Sequence, residues 1–146
     1  PEEHTRDKIV QLKLNPMRHI LKGKKVIVID DSIVRGTTCR QIIKMVKDAG
    51  AKEVHLLISS PPVRFPDFYG INTPRQKELI ASYKNLEGIR KEIGVDSLHY
   101  LSYKGLLRAI GLPESYLCTS CFTGDYPIDI GERKKEINYK PAYAKI

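Results

Sequence analysis

Two adjacent carboxylates, Asp30 and Asp31, directly follow a short apolar run at residues 26–29. An ionised carboxylate accepts hydrogen bonds and donates none, so a neighbouring pair suits a vicinal diol such as two ribose hydroxyls. The same pair suits a hard cation such as Mg²⁺, which prefers oxygen ligands. Either ligand would offset the repulsion between the two negative charges. The alternative interpretation is a solvated turn that caps a helix.

The residues after the acidic pair suit a phosphate. Gly36 permits a tight turn, while Ser32, Thr37 and Thr38 offer hydroxyls and backbone N–H groups where a helix begins. An acidic pair followed within a few residues by a phosphate-binding turn predicts a ribose 5-phosphate site. A dinucleotide fold places its acid about 20 residues after its glycines, and a Walker loop requires Gly-Lys-Ser/Thr, so neither describes this stretch. Arg35 is either a phosphate ligand or an ordinary surface cation.

The elements around this stretch predict an α/β fold. Residues 26–30 form a β-branched run typical of a central parallel strand. Apolar residues then recur at helical spacing from Ile42 to Ala49, which predicts a helix capped by Thr37 or Thr38 and closed by Gly50. A second apolar run at 54–60 completes the order of a right-handed βαβ unit.

The rest of the chain predicts shorter elements. Residues 63–73 predict a structured loop whose core is filled by Phe65, Phe68 and Tyr69. Two short helices are expected at 74–83 and 86–93, a strand at 97–101, and a last helix capped by Ser102. After Pro113 the periodic pattern stops, and the tail beyond Asp129 is expected to be a solvated extension.

Composition limits the classes of function. The 146 residues correspond to about one domain, and 41% hydrophobic with 29% charged residues are globular values. No apolar run approaches the roughly 20 residues that a bilayer requires, so no membrane partner is expected. The net charge of +8 would attract the phosphates of nucleic acid or of a small substrate. A nucleic-acid-binding module ranks last, because the positive charges are dispersed and no nucleic-acid motif is present.

The three cysteines, Cys39, Cys118 and Cys121, are too few and too odd in number for a secreted disulfide framework, which favours a reducing cytoplasm. Cys39 is interpreted as a small packed residue. The chain begins at Pro1 without a clear pattern, and we expect it to be a piece of something longer.

The string from Val26 to Thr38 resembles the phosphoribosyl pyrophosphate (PRPP) signature of type I phosphoribosyltransferases. The more specific similarity is to the glutamine PRPP amidotransferases. Five further stretches agree with that family, and the resemblance runs from about Arg6 to Pro127; the stretches are 13–15, 62–66, 69–71, 78–81 and 121–127. It implies the parallel-sheet, Rossmann-like phosphoribosyltransferase fold, incomplete in this chain. Residues 1–23 would be part of a mobile loop and lead-in, 24–112 the phosphoribosyltransferase core, and 113–146 a carboxyl-terminal CxxC segment and extension.

The resemblance also implies roles for individual residues. Asp30 and Asp31 would bind the ribose hydroxyls and the Mg²⁺ attached to PRPP. The 5-phosphate would be enclosed by Ser32, Arg35, Gly36, Thr37 and Thr38. Arg6 and Lys13 fall where the family has a mobile loop that closes over pyrophosphate, with an ordinary solvated basic loop as the alternative.

The implied reaction is attack of ammonia on C1 of PRPP, giving 5-phosphoribosylamine and pyrophosphate, the first committed step of purine synthesis. Glutamine would supply the ammonia in a separate amidohydrolase domain. The remaining amino-terminal phosphoribosyltransferase portion, purine nucleotides as feedback inhibitors and a homo-oligomer are the other implied partners, and the fragment alone is expected to be inactive. The rival function is a regulatory protein that senses PRPP or purines without catalysis.

The pair Cys118 and Cys121 has a spacing suited to Zn²⁺ or an iron–sulfur cluster, but it supplies only half of the ligands. In cluster-bearing members of the family such a pair supplies two ligands of a [4Fe–4S] centre, and a further cysteine precedes Phe-Tyr-Gly. Asp67 occupies that position here, and a carboxylate is a harder ligand than a thiolate. Two reduced structural thiols are the alternative.

Overall fold

The computed structural model describes residues 16–71, 73 and 75–138. The expectations for Arg6 and Lys13 lie outside the described residues.

Three parallel strands form the described sheet, in the order β1 (Lys25–Asp30), β2 (Glu53–Ile58), β3 (Ser97–Tyr100). Asp30 pairs in register with Ile58, and Ile58 pairs with Tyr100, so the carboxyl ends of all three strands lie at one end of the sheet. The predicted parallel α/β arrangement is confirmed. The prediction of a central first strand is wrong for the described sheet, because β1 lies at its edge.

Helices and 3₁₀ turns precede, connect and follow the strands. The helices are α1 (Arg18–Leu21), α2 (Thr37–Asp48), α3 (Ile80–Tyr83), α4 (Leu86–Ile93), α5 (Tyr103–Ile110) and α6 (Ser120–Thr123), with 3₁₀ turns at Gln76–Glu78, Glu114–Tyr116 and Gly131–Glu136. The predicted bounds of α4 and the predicted Ser102 cap of α5 are confirmed. The single helix expected at 74–83 is wrong: Leu79 is extended and fully buried, and it separates a 3₁₀ turn from α3.

The main core lies on one face of the sheet, where α2 and α4 pack together over the strands. Alternate residues of β2 point into it, and all of them are buried: Val54, Leu56 and Ile58. On the opposite face of β1, Ile27 is 62% and Ile29 is 71% exposed. Within the described ranges this apolar face is therefore uncovered, whereas parallel sheets in α/β proteins are usually covered on both faces.

The carboxyl-terminal segment packs against the loop after β2. Ile130 and Ile137 are buried in a second cluster around Phe65, with Phe68 and Tyr126 beside it. The charged residues between the two isoleucines are exposed as expected, but the prediction of a solvated tail is wrong for its described part, because Ile130 and Ile137 are buried.

Gln76, in the 3₁₀ turn Gln76–Glu78, forms hydrogen bonds with this carboxyl-terminal segment. Its side-chain amide donates to the carbonyls of Arg64 and Asn138, at 2.9 and 3.1 Å, and its Oε1 accepts from the backbone N–H of Asn138 at 2.7 Å. The last described residue is therefore joined to the start of the segment 75–80.

None of the helices in the part of the chain that the structure describes has the length and apolar character needed to cross a bilayer.

Candidate functional site

The acidic pair lies at the carboxyl end of β1, where ligands of parallel α/β sheets bind. Asp30 is half-buried, and its Oδ1 accepts the backbone N–H of Asp31 at 3.0 Å. Asp31 is exposed, and its Oδ1 accepts the hydroxyl of Ser32 at 2.8 Å. The backbone carbonyl of Asp30 accepts the N–H of Ser59 from β2's end at 3.0 Å. The pair is thus held in place from its own loop and from the neighbouring strand.

Cys39 holds the second oxygen of Asp30. Its thiol is buried in the first turn of α2 and donates to Asp30 Oδ2 at 3.4 Å. Burial, together with the negative charge of Asp30, raises the pKa of the Cys39 thiol to about 12, so it remains a protonated donor at neutral pH. The predicted packed residue is confirmed as buried, and it also orients one of the carboxylates.

Gly36 begins α2. It has φ +80° and ψ −11°, a left-handed conformation that side chains disfavour, and its carbonyl accepts the N–H of Arg40. Thr37 and Thr38 are the first helical residues, so the prediction that either one caps the helix is wrong. The helix has no side-chain cap hydrogen bond and no acidic residue in its first turn. Its positive amino-terminal end is therefore suited to an anion.

A segment distant in sequence contacts the same loop. The N–H of Ile80 donates to the carbonyl of Val34 at 2.9 Å, and a Cβ on Gly36 would meet Ile80 Cδ1 at 3.1 Å. Arg35 forms an ion pair with Glu78 at 2.6 Å. Sequence reasoning used Glu78 only as part of a matching stretch, because an ion pair between distant segments leaves no local pattern.

The predicted loop residues thus occupy one continuous turn from the end of β1 to the start of α2. These are Asp30, Asp31, Ser32, Arg35, Gly36, Thr37 and Thr38. Ser59, Glu78 and Ile80 are the contacts that the sequence did not indicate. The only available signal was that Ser59 follows the second predicted strand, at the same end of the sheet.

The carboxylates of the acidic pair, of which Asp31 is the exposed one, fit Mg²⁺ in the form that accompanies a phosphorylated substrate. Mg²⁺ usually takes one or two carboxylates, with waters and substrate phosphates completing its octahedron. Within the described ranges, no group of three or more His, Cys, Asp and Glu side chains is arranged to hold a metal ion by itself. Asp30 and Asp31 can therefore contribute to such an ion but do not form a complete protein cage.

Cys118, Cys121 and Asp67 do not provide the donor set of a four-thiolate cluster. Asp67 lies near enough to Cys121 to act on it electrostatically, but its Oδ1 accepts the N–H groups of Tyr69 and Ile71 at 2.9 and 3.0 Å. Burial and the Asp67 charge raise the pKa of the Cys121 thiol to about 11. No chemical step is assigned to a cluster.

The chain is similar to known proteins over most of its length. A sequence model described as the phosphoribosyl transferase domain matches residues 1–60. The amidophosphoribosyltransferase of Methanothermobacter thermautotrophicus is 53% identical over 127 residues, which make up 87% of this chain and 27% of that protein. The protein of the same name from Bacillus subtilis is 49% identical and matched over 89% of this chain and 28% of its own length.

Two solved structures share the fold. The glutamine PRPP amidotransferase from B. subtilis, complexed with ADP and GMP, has a TM-score of 0.78 at 49% identity, over 90% of this chain and 30% of that one. A structure described as the allosteric regulatory enzyme of purine biosynthesis has a TM-score of 0.74 at 42% identity, over 94% of this chain and 32% of that one.

The parallel sheet with its acidic loop and glycine-initiated helix defines a unit of the type I phosphoribosyltransferase fold, as the sequence predicted. Within that class, the relatives reported above are amidophosphoribosyltransferases at about half identity, which confirms the resemblance drawn from the sequence. The chain spans about a quarter of the length of the curated relatives that it matches, with 27% of the first.

Proposed function

We propose that this chain is the PRPP-binding part of an amidophosphoribosyltransferase. The enzyme would transfer the phosphoribosyl group from PRPP to ammonia derived from glutamine, giving 5-phosphoribosylamine and pyrophosphate. One observation carries the proposal: an acidic pair ends a parallel strand and leads directly to the uncapped, positive end of α2, in a chain about half identical to enzymes of that name.

Each part of the loop has a distinct task in this proposal. Asp30 and Asp31 accept hydrogen bonds from the ribose hydroxyls and provide oxygen ligands for Mg²⁺. Ser32 and residues 35–38 enclose the 5-phosphate with hydroxyls and N–H groups. Arg6 and Lys13 supply positive charge near the pyrophosphate. The division into lead-in 1–23, core 24–112 and carboxyl-terminal segment 113–146 belongs to the same proposal.

The reaction makes modest chemical demands on these residues. Ammonia is a good nucleophile and pyrophosphate a good leaving group, so the site has to fix the ribose, orient C1 towards ammonia and exclude water. Carboxylates beside the ribose also stabilise the positive charge that develops on the sugar ring as the bond to pyrophosphate breaks. Mg²⁺ bound with PRPP would neutralise charge on the leaving pyrophosphate. No Ser, Cys or His nucleophile in this segment is needed.

The uncovered face of the sheet supports the proposed partners. Ile27, Ile29 and Leu57 present apolar area that a further layer of a phosphoribosyltransferase domain would cover, and β1 can accept another strand at its edge. The glutaminase and the rest of the phosphoribosyltransferase domain are the partners proposed for it. The proposal also includes purine nucleotides as inhibitors and a homo-oligomer. It includes a cytoplasmic location, with which the three free thiols are in keeping.

Two measurements test this function. Titration of the full chain with Mg-PRPP in a calorimeter should give saturable binding that ribose 5-phosphate competes for and that random RNA does not. Reassembly with the remaining part of the B. subtilis enzyme should then release pyrophosphate from PRPP when ammonia is added. Binding without any release would favour the PRPP-sensing protein, and salt-sensitive RNA binding that PRPP does not displace would refute both.

A further inference from the structure

The segment 75–80 contacts the phosphate loop at three separate points. One is a backbone hydrogen bond, from the N–H of Ile80 to the carbonyl of Val34. The second is packing of the Ile80 side chain against Gly36. The third is the ion pair between Glu78 and Arg35. A backbone contact, an apolar contact and a charged contact together fix the position of the loop relative to this segment.

Glu78 has a particular place among these contacts. Its Oε2 accepts both Nε and an Nη of Arg35, at 3.0 and 2.6 Å, and its Oε1 accepts Nε of Arg75 at 2.5 Å. The carboxylate is half-buried, and the hydrogen bond from Arg35 lowers its pKa, so it stays ionised at neutral pH. One side chain therefore satisfies two guanidinium groups and joins the loop to the neighbouring segment.

A loop that binds phosphate mainly through backbone N–H groups depends on the position of its backbone. Gly36 already adopts a conformation that few residues favour, and ordering it only when the ligand arrives would reduce affinity. A fixed Arg35 removes part of this cost because the loop is held before binding. The ion pair also restricts where the Arg35 guanidinium can go.

We propose that Glu78 is a positioning residue. By anchoring Arg35, it preorganises the loop 32–38 for the 5-phosphate of PRPP. The inference rests on the proposed function for the identity of the ligand. Glu78 acts through Arg35 and does not itself touch the phosphate. The competing possibility is a latch, in which Glu78 withholds Arg35 from the phosphate.

The variant Glu78→Gln separates the two, because it keeps the shape and removes the charge. If Glu78 anchors Arg35, we expect Glu78→Gln to raise the Kd for Mg-PRPP and for ribose 5-phosphate by about fivefold or more. We also expect faster hydrogen–deuterium exchange of the peptide containing residues 32–38 in the ligand-free full chain. Glu78→Asp retains the charge and should restore part of the affinity.

The matched control is Glu87→Gln. Glu87 makes a similar two-point ion pair with Arg90, at 2.7 Å for both contacts, on α4. It should change neither Kd nor the exchange of the loop. In an Arg35→Gln background, Glu78→Gln should have little further effect, since the anchor is already absent.

The outcomes distinguish this inference from the function on which it rests. A wild-type chain that does not bind Mg-PRPP would overturn the proposed function. A wild-type chain that binds, beside a Glu78→Gln variant that binds equally well or more tightly, would overturn the anchor alone. Unchanged exchange of the loop in that variant would overturn it as well.

Discussion

Asp30 and Asp31 are neighbours in sequence but lie in different environments. Asp30 is half-buried, with both carboxylate oxygens accepting hydrogen bonds, from Asp31 N–H and from Cys39. Asp31 is exposed, and the hydroxyl of Ser32 binds only its Oδ1. Asp31 is thus the more available ligand for a cation or a ribose hydroxyl, and Asp30 the more rigid one.

Asp31→Asn should weaken Mg-PRPP binding by about tenfold or more, because it removes an anionic acceptor that charge-assisted hydrogen bonds and Mg²⁺ both use. Calorimetric titration with Mg-PRPP measures this effect. In the reassembled enzyme, glutamine hydrolysis should remain close to the wild-type rate. Asp48→Asn, at the far end of α2, is the matched control, and equal PRPP affinity in both variants would contradict the role of Asp31.

The three thiols should differ in their reactivity towards iodoacetamide. Cys118 is exposed and should react first. Burial and nearby negative charges raise the pKa of Cys121 to about 11 and of Cys39 to about 12, so both thiols are protonated at pH 7. Only the thiolate reacts, and labelling of Cys121 should therefore increase about tenfold per pH unit below its pKa.

Peptide mass spectrometry after timed labelling at pH 7 and pH 9 measures these rates. Cys39 should stay unlabelled while the chain is folded and react fully in urea. Protection of Cys118 as well as Cys121 in the native chain would contradict the interpretation of two reduced thiols and would favour a bound metal centre.

At the scale of the elements, Gly36 makes the transition from the loop to α2 possible. Its positive φ is a backbone requirement, and the contact with Ile80 Cδ1 is a steric one. Gly111 at the end of α5 has φ +73° with nothing within 4 Å of an added Cβ, so it shares only the backbone requirement. The pair of glycines therefore separates the two effects.

Gly36→Ala and Gly111→Ala should each lower the free energy of unfolding by about 1–2 kcal/mol for the left-handed backbone. Gly36→Ala should lose more, because its methyl group meets Ile80. Only Gly36→Ala should also weaken Mg-PRPP binding. Urea denaturation and calorimetry test this together, and identical losses of stability in the two variants would argue against a steric role for Ile80.

Asp96 directly precedes β3, and its side chain forms a hydrogen bond with β2. This contact makes the stability of the sheet depend on pH. Its Oδ2 accepts the N–H of Val54 at 2.7 Å and lies 3.7 Å from Lys47 Nζ, and these contacts lower the pKa of the carboxyl group. A pKa that is lower in the folded state gives stabilisation above the unfolded value, which disappears as the pH falls through the folded value.

Asp96→Asn should therefore reduce stability at pH 7, and the difference from the wild type should shrink below about pH 4. Urea denaturation at pH 7, 5 and 3 provides the comparison. A difference that is constant across this range would show that the charge of Asp96 contributes nothing.

The sequence predicted those elements whose signals are local. Ser102 and Gly94 mark the start of α5 and the end of α4, and the acidic loop is continuous in sequence. The break at Leu79 was not predictable, because no local sequence signal marks this extended and fully buried residue. The same reason applies to Ile137 and Glu78, whose partners Phe65 and Arg35 are far away in the chain.

At the scale of the whole molecule, the sheet has one covered and one uncovered face. The face with Val54 and Leu56 packs on α2 and α4, whereas Ile27 and Ile29 are exposed in the described ranges. The alternation along β1 is clear, but sequence alone could not tell which face is covered within this chain, since both carry apolar residues.

Ile29→Lys should leave the stability of this chain within about 0.5 kcal/mol, because the side chain is exposed here. It should prevent reassembly with the rest of an amidophosphoribosyltransferase by introducing a charge into the joint core. Size-exclusion chromatography and pyrophosphate release measure assembly. Ile128→Lys is the control at a comparably exposed isoleucine, and normal assembly of Ile29→Lys would contradict the proposed contact face.

The double link between Gln76 and Asn138 has a consequence for how this chain tolerates changes in length. It fastens the turn that carries Glu78 to the far end of the described chain. A residue inserted or deleted between 125 and 137 would displace these two hydrogen bonds. The displacement would reach the phosphate loop, although the changed position is distant from that loop in sequence. Spacing in the tail, more than the identity of its charged residues, is therefore what selection should preserve.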